Sequence, residues 1–174
     1  KAIFAGQIDK LDRHYALTLE ALNTATGAAL SRVFFEAESK DQVIKTLGLA
    51  ALKLREQLGE SLASTTKFNA PIENATTSSL EALQAYTQGY EQLNFKADSR
   101  AALPLYQRAI RLDPNFAMPH YQLAMIYTNL GQPRLSVEHA AKAFNLRDRV
   151  SERERLTITA LYYSIVTGET TKAS

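Results

Sequence analysis

The chain has 174 residues, 45% apolar and 22% charged, enough for one good hydrophobic core or two small ones. Twenty basic against eighteen acidic side chains leave a formal charge of +2, so electrostatics gives no argument for a nucleic-acid or membrane-surface partner. Cysteine is absent, which excludes disulfides and thiolate chemistry, and no apolar run approaches the roughly 20 residues of a membrane-spanning helix.

From Ala2 to Ala37 apolar residues alternate with period two, the mark of half-buried strands. Strands are predicted over residues 2–8, 14–22 and 29–37. In the second, Tyr15, Leu17, Leu19 and Ala21 share one face while Ala16, Thr18 and Glu20 take the other. Asp9 to Arg13 make the first turn and Asn23 to Gly27 the second, with Gly27 available for positive φ, so an antiparallel meander is expected. Ser39 and Gln42 then form a capping-box pattern, followed by Val43, Leu47, Ala50, Leu54 and Leu58 at helical spacing. Three strands and a helix are a thin core, so further strands are expected from missing sequence or another molecule, and the open edge is a liability. The start inside a strand and the helix-like end at Thr171 to Ser174 point to a piece of a longer protein.

Residues 61–77, rich in Ser, Thr, Asn and Ala with Pro71 among them, read as a linker between segments 1–60 and 78–174. Everything beyond reads helical. Ser78 and Glu81 suggest a second capping box opening a helix over residues 79–93. Asp98 or Ser99 caps the next, which stops at Asp113-Pro114. Further helices are predicted over 116–130, ending at Gly131, over 134–146, and over 151–167 before Gly168, with Pro104 deep enough to kink its helix. The fold class is thus an α+β segment, a three-stranded antiparallel meander plus helix, followed by an all-α array of helical hairpins.

An internal repeat underlies that array. Ala102, Tyr106, Ala109, Leu112 and Pro114 are followed, each 34 residues on, by Ser136, Ala140, Ala143, Leu146 and Asp148. Leu123-Ala124, Tyr127, Gly131 and Ala143 resemble the tetratricopeptide (TPR) pattern of large residue, small residue, tyrosine, turn glycine and small residue, whose period is about 34. Gly89, Ala102, Tyr106, Ala109 and Pro114 fill matching positions one unit earlier. A third unit starts near Ser151 and breaks off near Ala173, leaving two full units and one truncated.

A second resemblance covers the first third. Gly6-Gln7-Ile8, Tyr15 to Leu19 and Asn23 to Gly27, followed by a strand and a helix, look like the second half of a TolB N-terminal-like domain. Ala75 to Leu83 and Leu146 to Glu154 look most like the version associated with bacterial membrane-bound serine/threonine kinases. That resemblance implies a bacterial signalling protein, with this part extracytoplasmic when a membrane helix precedes it. Neither a Gly-rich phosphate loop nor a His-Arg-Asp loop occurs, so any kinase activity would lie outside this chain.

No catalytic residue can be nominated. Serines lack a Gly-x-Ser-x-Gly elbow, and Glu36 and Glu38 read as a solvated strand face. His14, His120 and His139 are far apart without metal-ligand spacing, so no metal or other cofactor is expected, and His120 reads as an ordinary packed or surface histidine. The alternating charges from Arg147 to Arg155 read as a salt-bridged loop. In a TPR array the first helix of each pair lines the concave groove. The residues so placed are Leu83, Tyr86 and Tyr90, then Met118, Tyr121 and Met125, then Ile158, Tyr162 and Ile165. The expected function is a non-catalytic interaction or sensor module holding an apolar protein segment or peptide, not nucleic acid and not an inserted membrane. The alternative is self-assembly, as a homodimer for example, through the β-edge and the open repeat end.

Overall fold

The computed structural model describes residues 2–60 and 77–168. The chain forms two compact units, Lys1–Glu73 and Asn74–Ser174. Nearly all of the expected linker, and the expected helix start at Ala173, lie outside the described residues.

In the first unit β1 (Ala2–Leu11), β2 (His14–Asn23) and β3 (Ala29–Ala37) make an antiparallel sheet in the order β1-β2-β3. β1 does not stop at Ile8 as the sequence suggests. Lys10 pairs with Tyr15 and Leu11 with His14, so only Asp12 and Arg13 are left to turn, and Asp12 adopts the left-handed φ of 58°. Tight hairpins need that conformation to match strand twist. The second turn is closed by Asn23, whose Oδ1 accepts from the Ala25 amide at 2.9 Å, and by Gly27 at φ 70°.

Among the described residues one α-helix, α1 (Val43–Gln57), covers this sheet. The expected Ser39 cap is not made. A 3-10 turn, Lys40–Gln42, intervenes, with the Gln42 amide donating to the Ser39 carbonyl, and α1 starts only at Val43. Ala50 and Leu54 pack on Ala21 and Val33, flanked by Leu19 and Phe35. α1 lies over β2 and β3. Phe4 and Ile8 sit opposite Ala21 and Leu17, and therefore on the helix-bearing face, yet they remain 61% and 44% exposed.

The second unit consists of α2 (Leu80–Asn94), α3 (Ser99–Leu112), α4 (Ala117–Asn129), α5 (Pro133–Asn145) and α6 (Glu152–Tyr162). One π-helical turn, Tyr163–Thr167, follows and ends at Gly168. α2 pairs with α3 and α4 with α5 as tight hairpins. Ser79, one residue later than expected, caps α2 by accepting from the Ala82 amide, because Ser79 and not Ser78 precedes the first helical turn. Asp98 caps α3 through the Ala101 amide at 2.9 Å, and α3 runs unbroken through Pro104. Ser151 and Glu154 make a reciprocal capping box at α6.

The 34-residue lag has a packing cause. Ala102 and Ser136, Tyr106 and Ala140, and Ala109 and Ala143 are all no more than 1% exposed, each pair at equivalent points of successive second helices. Small residues there let helices approach. A β-carbon added to Gly89 on α2 would lie 2.9 Å from the Tyr106 ring, so glycine is what admits the tyrosine. Ser136 replaces alanine without an orphaned hydroxyl: its Oγ donates to the Ala124 carbonyl at 3.0 Å and lies 2.7 Å from Thr128 Oγ1.

Candidate functional site

α2 and α4, the first helices of the two described hairpins, and α6 after them carry the predicted groove residues, Ile165 following in the π-helical turn. Leu83 and Tyr86 pack around Phe116 together with Met118. Met118 also joins Tyr121 in the cluster of Ala117, Ala143 and Ile158. Met118 thereby links Leu83, Tyr86, Tyr121 and Ile158 into one run of apolar residues along α2, α4 and α6. Ile158 is its deepest member at 1% exposure, sitting beneath the surface and not on it.

Aromatic contacts order this face. The Tyr86 ring is 5.1 Å from Phe116, 5.6 Å from Tyr106 and 6.5 Å from Tyr90. Burial raises the Tyr86 phenol pKa; a hydrogen bond from Gln122 opposes that shift, and Glu154, Tyr90 and Tyr121 add to it. Burial also raises the Tyr121 phenol. Beneath them Tyr106 is fully buried and its hydroxyl is without a hydrogen-bond partner, so burial drives its ionisation well above the usual range.

Tyr90 and Met125, four residues beyond Tyr86 and Tyr121, are 43% and 39% exposed. Phe95, outside the predicted groove set, stands 79% exposed and edge-on to Tyr90, with ring centroids 6.4 Å apart. Its position one residue past the helix end takes it out of the helical spacing that marks the other groove residues. Tyr162 and Ile165 have other neighbours. Tyr162 stacks on Phe144 of α5 with centroids 4.0 Å apart. Ile165 lines a cleft of about 500 Å³ with Thr128, Gly131, Pro133, Ser136, Val137 and Ser164.

Basic residues are unevenly placed: among the first helices only α6 carries them, Arg153 and Arg155 in its first turns. α2 and α4 contain no lysine or arginine. α3 and α5 carry Arg100, Arg108, Arg111, Arg134 and Lys142, all exposed.

The histidines differ from the sequence expectation. His120 of α4 and His139 of α5 meet, Nδ1 to Nδ1, at 2.9 Å. His120 is buried at 4% exposure and borders a cleft of about 360 Å³ with Ile110, Pro114, Lys142, Asn145 and Leu146. His139 stacks on Tyr127 at 5.5 Å, and the Tyr127 hydroxyl accepts from Gln107 of α3 at 3.3 Å. Among the described residues no group of three or more His, Cys, Asp or Glu is placed to hold a metal ion.

Residues 105–138 match the tetratricopeptide repeat family. The matched stretch is about one TPR period long, running from within α3 through α4 into α5, and does not reach the strand unit. No curated protein and no solved structure matches the chain. A three-stranded antiparallel sheet with one helix, followed by helical hairpins containing a TPR match, is the fold. TPR repeats are typically non-catalytic protein–protein interaction modules, which supports a general interaction role for the second unit. Among the described residues no helix is long and apolar enough to cross a membrane.

Proposed function

We propose that the second unit captures a protein segment with an apolar face, seated along α2, α4 and α6. The observation that carries this reading is the continuity of Leu83, Tyr86, Met118 and Tyr121 across successive first helices, extended by exposed Tyr90 and Met125. Aromatic side chains bury large area at low entropic cost, and such surfaces suit amphipathic helices or extended apolar peptides. The absence of lysine and arginine from α2 and α4 weighs against a partner held by an acidic C-terminus. Tyr162 and Ile165 belong to the proposal only as a flank.

Selection from a random peptide library tests it. Retained peptides are expected to carry apolar residues at helical or alternating spacing, and to lose at least tenfold in affinity to the double variant Tyr90→Ser, Met125→Ser, with circular dichroism unchanged. Retained affinity in that variant would sink the groove. The likeness of residues 1–60 to a TolB N-terminal-like domain, and of Ala75 to Leu83 and Leu146 to Glu154 to its kinase-associated version, supports placing this capture in a bacterial, kinase-associated signalling protein. A second reading, self-association through β1, draws on exposed Ile3, Phe4, Ile8 and Leu11 along one edge strand. Light scattering over a concentration series separates the two, since the groove reading needs no rise in mass.

A further inference from the structure

We propose that the His120–His139 contact is a proton-operated latch on this groove: mild acid separates α4 from α5 and displaces the face that carries Met118, Tyr121 and Met125. Its regulatory meaning rests on the groove reading, while its chemistry does not. Two imidazole Nδ1 atoms 2.9 Å apart are a hydrogen bond only when one bears the proton and the other offers its lone pair. When both rings become imidazolium, that bond turns into a contact between two N–H groups and two positive charges. Neither ring has an easy retreat. His120 is enclosed, and His139 is held on the Tyr127 ring, itself tied to α3 through Gln107.

The surroundings do not neutralise an added charge. On α5, Lys142 opposes it and Glu138 favours it, but Glu138 is exposed and already bonded to Lys142 at 2.8 Å. α3 presents Gln107 and Ile110 in this region, the turn after it Pro114, and α4 Tyr127, none of them charged. Burial lowers both histidines, and His120 is brought down to about 4, with the charges of His139 and Lys142 acting in the same direction. The sign follows from linkage. A base whose folded pKa lies below its unfolded value gives stability fully present above about pH 6.5 and lost as pH falls toward 4. Each proton taken up on opening multiplies the opening equilibrium by about tenfold per pH unit in that window.

The juxtaposition has no counterpart elsewhere among the described residues, since His14, the third histidine, lies on β2 of the other unit. α4 is common to both features: His120 and Tyr121 are adjacent, one against α5 and the other on the groove face. Separation of α4 from α5 therefore moves the groove wall directly, without a relay.

Amide hydrogen exchange read by NMR between pH 7.5 and 5, with no ligand present, tests the latch. After correction for intrinsic rates, protection in α4 and α5 is expected to fall about tenfold or more per pH unit below 6.5, while β2 stays level. The variant His139→Gln retains an N–H donor toward His120 and removes one titrating ring, so its slope should fall to about half. Protection independent of pH, or an undiminished slope in that variant, would overturn the proposal. Should His139→Gln fail to fold, titration of the wild-type imidazole protons decides: two rings still neutral at pH 6 support the latch, and two titrating near 6.5 refute it. A negative result leaves peptide capture at pH 7.5 untouched, and a failed peptide selection leaves the exchange result standing.

Discussion

The two units solve the same problem, covering an apolar face, by different means. In the first, among the described residues, one α-helix lies on a three-stranded sheet. A helix is about 10 Å across and strands are spaced by about 4.8 Å, so α1 covers β2 and β3 and leaves Phe4 and Ile8 of β1 open. In the second, cover is supplied by repetition. Each hairpin lies against the next, and Tyr106, Phe116 and Leu123 are completely buried although no single hairpin could enclose them. The difference teaches where function can sit: the sheet leaves an uncovered edge, whereas the array leaves a continuous face of half-buried aromatics between covered layers.

That contrast can be broken at Tyr106. Replacing it by alanine removes the ring that occupies the space opened by Gly89 and should destabilise the helical unit by about 3–5 kcal/mol in urea unfolding. Tyr106→Phe sharpens the point. It removes a buried hydroxyl with no partner, so stability should hold or rise by about 1 kcal/mol. The smallest effect is expected where cover is missing: Phe4→Thr on β1 should change stability by less than about 0.5 kcal/mol. A loss of 2 kcal/mol there would show that β1 is covered after all.

Much of this contrast was legible in the sequence. Period-two alternation located β2 and β3, and the paired small residues at Ala102 and Ser136, or Ala109 and Ala143, marked the repeat because close helix approach permits nothing larger. Local competition hid the rest. Ser39 looked like a cap, but a 3-10 turn satisfied the chain first, and Asp12 took a left-handed conformation that let β1 run on to Leu11. The groove residues were chosen by helical register alone, and register does not separate a surface residue such as Met125 from a core one such as Ile158. The histidine pair left no signature, because His120 and His139 lie on different helices and meet only through the α4–α5 hairpin.

The most direct test is chemical-shift mapping with a peptide selected on the intact protein. The groove reading predicts perturbations concentrated at Tyr86, Tyr90, Met118, Tyr121 and Met125, with the outer faces at Arg108 and Lys142 silent. Perturbations confined to α3 and α5, or to β1, would contradict it.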